Sequence, residues 1–239
     1  MAIFDTTRAL SFDCLGTLID WETGILQSLQ PWCAWRGVDV PAAELLELFG
    51  RTETGVQAAH PTMIYPEVLG EVLRQIAGVL GLDATDEECA EFGASVGMWP
   101  AFPDTALALR RLQQRYRLII LSNIDNASFE RCNRRLGVEL DLVITAEDVG
   151  SYKPQTGHFD ALFAGIAAMG IEVDELMHVA QSRYHDIAPA KRLGIRSAFI
   201  DRQHAATGSG ATPAADVVPD LTYHSMREFA AVALADAAH

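Results

Sequence analysis

Several polar residues stand directly after short apolar runs of the sequence, where a buried strand would end. Asp13 ends the apolar run in "SFDCLGTLIDW", and Ser122 and Asn123 follow the run "RLIIL". Lys153 lies in "GSYKP", and Asp186 lies in "HVAQSRYHDI". A carboxylate such as Asp13 in this position is a nucleophile, a metal ligand or a helix cap, and one position alone does not distinguish these roles.

Short apolar runs alternate with helical patterns through the second half of the chain. Runs suited to buried parallel strands occur at 9–14, 117–123, 141–147, 176–181 and 196–202. The helical patterns between them mostly end in glycine. This alternation predicts an α/β fold with a doubly wound, mostly parallel sheet. Ligands bind at the carboxyl ends of such strands, so the five polar residues are expected to meet at one edge of the sheet.

A long helical segment interrupts this alternation after the first strand. Apolar residues recur at helical spacing in 25–37, 42–50, 65–81 and 85–99, with turn signals between these stretches. We therefore expect a core domain formed by residues 1–20 and 101–239, with residues 21–100 inserted as a helical cap domain. The Gly-, Pro- and Ala-rich stretch 205–220 predicts a loop, followed by a final strand or helix.

Composition limits the classes of partner. The 239 residues are 49% hydrophobic and 21% charged, which is enough apolar sequence for a sizeable core. The formal net charge of −14 argues against nucleic acid and against an anionic membrane surface. No apolar stretch approaches the ~20 residues of a membrane span. The first residues lack the apolar core of a signal peptide, and the four cysteines lack metal-binding spacing, so a cytoplasmic protein is expected.

Four segments together resemble the motifs of a known superfamily. "FDCLGTLID", "LSN", "GSYKP" and "HVAQSRYHDI", in this order, are similar to the four motifs of the haloacid dehalogenase superfamily, and most of all to those of the L-2-haloacid dehalogenases. The resemblance implies that Asp13 is the nucleophile and that Lys153 holds it. It also implies that Asp186 helps to activate water, while Thr17 and Ser122 position carboxylates through hydrogen bonds.

The superfamily also contains phosphatases, and two departures from their pattern bear on the reaction. Phosphatases resemble one another in carrying an acid/base aspartate where this chain has Leu15, and a Gly-Asp pair where it has Ala180 and Gln181. The remaining carboxylates, Asp13 and Asp186, form a poor magnesium site, because a hard dication needs several anionic oxygens. Phosphoryl transfer is therefore disfavoured, and neither a metal nor another cofactor is expected.

The resemblance also supplies candidates for substrate contact. The expected substrate-binding residues are Leu15, Trp21, Arg51, Tyr65, Asn123, Gln181 and Ser182. Asn123 matches a position that contacts the leaving group in the dehalogenases, and Arg51 is the nearest candidate for their cap arginine. Tyr65 matches an aromatic cap position, and Trp21 follows motif one closely enough to line the entrance. Gln181 replaces a serine of the family pattern and is expected to orient water or to contact a polar substrate group.

These observations favour a metal-independent hydrolase of 2-substituted short carboxylic acids that works through an aspartyl ester. The foremost prediction is an (S)-2-haloacid dehalogenase that binds a small-molecule carboxylate. The alternatives are a C–N hydrolase that opens a ring such as that of azetidine-2-carboxylate, a non-catalytic binding module and, least favoured, a phosphatase. Relatives often form dimers, so a homodimer is possible on the resemblance alone.

Overall fold

The computed structural model describes residues 3–203 and 210–235. Its centre is a sheet of six strands: β1 (Ala9–Phe12), β2 (Arg117–Ser122), β3 (Leu142–Thr145), β4 (Leu176–Ala180), β5 (Arg196–Ile200) and β6 (Leu221–Tyr223). The strand order is β3-β2-β1-β4-β5-β6, and every neighbouring pair is parallel. The predicted α/β class with a doubly wound parallel sheet is confirmed.

Four helices follow β1 and form the helical insert of the fold. They are α1 (Trp21–Trp35), α2 (Ala42–Ala59), α3 (Tyr65–Val79) and α4 (Asp86–Ser95). Asp20 caps the start of α1 by accepting a hydrogen bond from the Thr23 backbone N–H at 3.2 Å. Thr85 and Glu88 form a reciprocal capping box at the start of α4. The second helix continues nine residues beyond the apolar stretch 42–50 that predicted it. This extension contributes side chains to the site described below.

Among the described residues, six further α-helices belong to the alternating part of the chain. They are α5 (Thr105–Leu112), α6 (Asn126–Leu136), α7 (Ala146–Val149), α8 (Gly157–Ala168), α9 (Ala188–Arg192) and α10 (Met226–Ala235). The strand predicted at 141–147 ends early, because the Thr145 hydroxyl accepts a hydrogen bond from the Asp148 N–H at 3.2 Å and starts α7. In the predicted loop 205–220, residues 205–209 lie outside the described residues, and 210–220 contain no helix or strand.

Apolar side chains of β2 alternate between the two faces of the sheet, which explains its position in the interior. Leu118 and Ile120 join the large apolar cluster that contains α5, α10 and the insert, whereas Ile119 and Leu121 join the cluster built on α8. Ligands of such parallel sheets bind at the carboxyl ends of the strands, and this is the edge at which the predicted site residues are expected. None of the helices described in 3–203 and 210–235 is long and apolar enough to cross a membrane.

Candidate active site

The Lys153 ammonium links the two core carboxylates at the carboxyl end of the sheet. Its Nζ donates to Asp13 Oδ1 at 2.9 Å, to Asp186 Oδ1 at 2.7 Å and to the Leu121 carbonyl at 2.8 Å. Asp13 follows β1 directly, and its side chain is 7% exposed, while those of Lys153 and Asp186 are 1% exposed. These three hydrogen bonds use all three ammonium protons, so the orientation of the Lys153 ammonium group is fixed.

Burial and ion pairing set the charges of these three groups. Burial opposes the charged form of Lys153, but Asp13 and Asp186 outweigh burial and raise the pKa of the ammonium. Burial likewise opposes ionisation of Asp186, yet Lys153 and His178 outweigh it and hold the pKa of that carboxyl well below its usual value. Burial is the largest effect on Asp13 and raises its pKa, although Lys153 opposes the rise.

A tight turn after β1 presents Thr17 to Asp13. The Thr17 hydroxyl donates to Asp13 Oδ2 at 2.7 Å and accepts a hydrogen bond from the Gln181 backbone N–H at 2.9 Å. Gly16 has a φ of +88°, a backbone conformation that favours glycine, and a Cβ at this position would also displace the Gln181 side chain, whose Oε1 would lie 2.9 Å away. The Thr17 hydroxyl therefore connects Asp13 to the segment that follows β4.

Asp186 is held from a second side by a buried histidine. His178 Nε2 lies 3.0 Å from Asp186 Oδ1, and because a carboxylate only accepts, the ring N–H donates. His178 Nδ1 lies 2.9 Å from the Ser11 hydroxyl oxygen across neighbouring strands. Asp186 itself sits in a π-helical turn, Arg183–Ile187. Its other oxygen, Oδ2, is buried and has no hydrogen-bond partner within the described residues.

Ser122 ends β2 and Asn123 follows it, and the two side chains have different contacts. The Asn123 amide forms two hydrogen bonds with the Lys153 backbone, accepting from its N–H at 2.7 Å and donating to its carbonyl at 3.1 Å. This pairing fixes the loop that carries the lysine. The Ser122 hydroxyl is buried without a partner in the described part of the chain, and the Ser122 carbonyl lies 3.0 Å from Nε2 of the buried His158. Burial lowers the pKa of His158 to about 4, so this ring is neutral.

The helical insert covers these core residues. Tyr65, at the start of α3, donates a hydrogen bond to Glu53 of α2 at 2.6 Å, and both side chains are buried. Tyr152 of the core donates to the Met63 carbonyl of the insert at 2.5 Å, and its ring lies 6.5 Å from that of Tyr65. Insert and core together enclose a cavity of about 30 Å³ next to Asp13. A cavity of this size holds one or two water molecules.

Comparison with known proteins agrees with this geometry. The sequence model of the haloacid dehalogenase-like hydrolase family matches residues 7–194 of the chain. The chain belongs to this family of hydrolases. The family membership predicted from the four motifs is therefore confirmed.

The individual proteins to which this hydrolase is similar include named 2-haloacid dehalogenases. (S)-2-haloacid dehalogenase H-109 of Pseudomonas putida is 27% identical over 222 residues, covering 88% of this chain and 93% of that protein. A defluorinating L-2-haloacid dehalogenase superposes with a TM-score of 0.78 at 21% identity, covering 95% of this chain and 94% of that one. The L-2-haloacid dehalogenase of Xanthobacter autotrophicus superposes with a TM-score of 0.78 at 18% identity, covering 95% and 98%. At these identities the two structures show the fold alone.

The structure brings most of the residues predicted for this hydrolase to one place. The predicted residues that line the cavity are Asp13, Leu15, Trp21, Tyr65, Asn123, Lys153, Gln181, Ser182 and Asp186. Thr17 joins them through its bond to Asp13, and Ser122 lies buried beneath. Arg51 differs, because it lies on the exposed face of α2 and does not line the cavity. The segment that was expected to supply an arginine supplies Glu53 and Gln57 instead.

Four lining residues were missed in the sequence: Glu53, Gln57, His185 and Thr212. Glu53 and Gln57 are four residues apart and therefore share one face of α2, whereas Arg51 points elsewhere. His185 is buried, and burial lowers the pKa of its imidazole to about 4, so it is neutral. The Ser182 hydroxyl contacts His185 Nδ1 at 3.1 Å and accepts a hydrogen bond from the His185 backbone N–H.

The donor set of this hydrolase fits a metal ion poorly. Among residues 3–203 and 210–235, no group of three or more His, Cys, Asp or Glu side chains is arranged to hold one. Both core carboxylates, Asp13 and Asp186, already share the Lys153 ammonium. Leu15 and Gln181 line the cavity at the positions from which the phosphatases' additional carboxylates would come, and neither supplies an anionic oxygen.

Proposed function

We propose that this hydrolase displaces a leaving group from C2 of short 2-substituted carboxylic acids through an ester on Asp13, without a metal. The reference reaction is dehalogenation of an (S)-2-halo acid to the 2-hydroxy acid and halide. The observation that carries the proposal is the pairing of Asp13 with both Lys153 and Thr17 in a buried, poorly hydrated pocket. The (S)-2-haloacid dehalogenase relative supports the same substrate class.

In the first step an Asp13 oxygen attacks C2, and the halide departs with its bonding electron pair. A halide needs no proton on departure, which suits a site where Leu15 stands in place of an acid. Two hydrogen bonds, from Thr17 and Lys153, fix the plane of the carboxylate so that it meets C2 in one orientation. Burial limits hydration of the carboxylate, and a poorly hydrated anion is a stronger nucleophile.

In the second step water attacks the carboxyl carbon of the Asp13 ester, not C2. The unpartnered Oδ2 of Asp186 is the acceptor best placed to orient that water. Because the pKa of Asp186 is held low, this carboxylate orients the water and does not retain its proton. One proton of the water goes to the departing oxygen of the 2-hydroxy acid, and the other passes to solvent as Asp13 regains its charge. One displacement at C2 inverts its configuration, so an (S)-2-halo acid gives an (R)-2-hydroxy acid.

The cavity has room only for one or two water molecules, so a substrate enters when insert and core separate. The contact between Tyr152 and the Met63 carbonyl spans this boundary. Reclosure over the substrate would remove bulk water and strengthen each polar contact inside.

A second candidate function is C–N bond hydrolysis on the same scaffold. The residues that line the cavity favour this function, because within the described residues they include no arginine that would receive a departing halide. A non-catalytic binding module is disfavoured because buried, perturbed ionisable groups such as Asp13, Lys153 and Asp186 cluster at catalytic sites.

A substrate panel tests the proposed function. 2-Halo acids, azetidine-2-carboxylate and phosphate esters are assayed by product release, each with and without EDTA. We expect halide or ring-opened product at an unchanged rate in EDTA. Activity confined to phosphate esters, or activity lost in EDTA and restored by Mg²⁺, would contradict the proposal.

A further inference from the structure

The insert places a buried carboxyl group opposite the nucleophile. Glu53 is 3% exposed and lines the same small cavity as Asp13. It comes from α2, whereas Asp13 comes from the end of β1, so the two carboxyl groups face the cavity from the insert and from the core. None of the steps proposed above uses Glu53.

The contacts of Glu53 leave one oxygen for a ligand. Tyr65 donates to Oε1 at 2.6 Å, and this is the only hydrogen bond of the Glu53 carboxyl within the described residues. Tyr65 is buried beside it and therefore fixes the direction of the carboxyl group. The other oxygen, Oε2, has no hydrogen-bond partner within the described residues, and the cavity that Glu53 lines is where a donor to it would lie.

The other charged groups around the cavity leave Glu53 without a cation. The ionisable residues that line it are Asp13, Asp186, Lys153, His185, Tyr65 and Glu53 itself. Lys153 donates its three ammonium protons to Asp13, Asp186 and the Leu121 carbonyl, and the His185 imidazole is neutral. An anionic leaving group beside Glu53 would face a carboxyl, and a cationic one would find a partner.

We propose that Glu53 binds a protonated nitrogen of the substrate, so that the site prefers 2-carboxylated amines with a strained small ring to 2-halo acids. This inference rests on the proposed function, because it assigns the leaving group of the same displacement. Tyr65 is a positioning residue that holds Glu53, and Glu53 is the specificity-determining residue.

The displacement balances with such a substrate. An Asp13 oxygen forms the bond to C2 while the C2–N bond of the ring breaks, and the bonding pair goes to nitrogen. The ring nitrogen is already protonated, so it leaves as a neutral amine and needs no acid. Water then hydrolyses the ester at the Asp13 carboxyl carbon and yields an open-chain amino hydroxy acid. Release of ring strain supplies the driving force that an unstrained amine lacks.

A binding comparison tests the inference without turnover. Azetidine-2-carboxylate and cyclobutanecarboxylate differ in one ring group, NH₂⁺ against CH₂, so their affinities isolate the nitrogen. Both are titrated calorimetrically into Asp13→Asn, into Asp13→Asn with Glu53→Gln, and into Asp13→Asn with Glu44→Gln. Glu44 is an exposed carboxyl on the same helix and serves as the matched control.

We expect the cyclic amine to bind at least tenfold more tightly than the carbocycle, and Glu53→Gln alone to remove that preference. Equal binding of the two ligands, no binding of either, or a preference that survives Glu53→Gln would overturn the inference. A kinetic experiment compares the wild-type protein with Glu53→Gln, both of which retain Asp13. The substitution should lower kcat/KM for azetidine-2-carboxylate at least tenfold more than it lowers kcat/KM for (S)-2-chloropropionate. If the proposed function fails instead, no Asp13 ester forms with either substrate, while the binding preference is still measured.

Discussion

The buried carboxyl of Glu53 makes a quantitative prediction about stability and pH. Burial raises its pKa from 4.5 to about 7, although the hydrogen bond from Tyr65 opposes the rise. The folded state therefore holds the proton to higher pH than the unfolded state does. The stability from this group is fully present below pH 4.5 and is lost as pH rises to about 7. The rise of the pKa from 4.5 in the unfolded state to about 7 in the folded state corresponds to about 3 kcal/mol of unfolding free energy.

Glu53→Gln removes this loss, because the amide does not ionise and still accepts the hydrogen bond from Tyr65. We expect the variant and the unsubstituted protein to be similar at pH 4.5, and the variant to be more stable by about 3 kcal/mol at pH 8. For a chain of this length the difference corresponds to about 6–12 °C in Tm. Thermal unfolding followed by circular dichroism across this pH range measures it.

The exposed Glu44 on the same helix provides the control, and Glu44→Gln should shift stability by less than about 0.5 kcal/mol at every pH. A Glu53→Gln effect that is the same at pH 4.5 and pH 8 would refute the reasoning. It would mean that the carboxyl is hydrated in the folded protein and does not face a closed cavity.

Three further results are expected. Lys153→Met leaves Asp13 and Asp186 buried without their cation, so it should lower stability by about 3–5 kcal/mol and abolish turnover; wild-type stability by denaturant unfolding would contradict this. Thr17→Val keeps the side-chain shape but removes the hydroxyl, so kcat should fall at least tenfold, and stability should fall by about 1–3 kcal/mol because the Gln181 N–H and Asp13 each lose a buried partner; unchanged kcat would remove Thr17 from the site. His178→Leu removes a donor from Asp186, so ester hydrolysis should slow more than ester formation; intact mass spectrometry should show the ester, and its absence during slowed turnover would contradict the assignment.

Much of the fold was predictable because the strands are short, apolar and separated by clear helical patterns. Ile119 and Leu121 belong to a continuous buried run, and such runs occur in parallel sheets. Asp13 and Asp186 were predictable as neighbours because polar residues at the carboxyl ends of adjacent parallel strands share one edge. The superfamily motifs then assigned them roles that strand patterns do not.

The cap side of the site was less predictable. The pattern that indicated α2 ended at residue 50, where the apolar spacing weakens, but the helix continues to Ala59. Its last turns place Glu53 and Gln57 inward, while Arg51 lies outward. Their direction depends on how α2 packs on α1 and α3, which a single sequence does not encode locally. The pairing of His178 with Asp186 was missed for a related reason, because it joins the interior of a strand to a π-helical turn eight residues later.

The most direct test of the account is a single turnover in ¹⁸O-water with enzyme in excess over substrate. If Asp13 forms the ester and water cleaves it at the carboxyl carbon, the label enters the peptide that contains Asp13 and the first product carries none. Asp13→Asn, confirmed free of deamidation, should show no turnover and no label, since an amide is a poor nucleophile. Label that appears directly in the first product, with none on the Asp13 peptide, would contradict covalent catalysis by this residue.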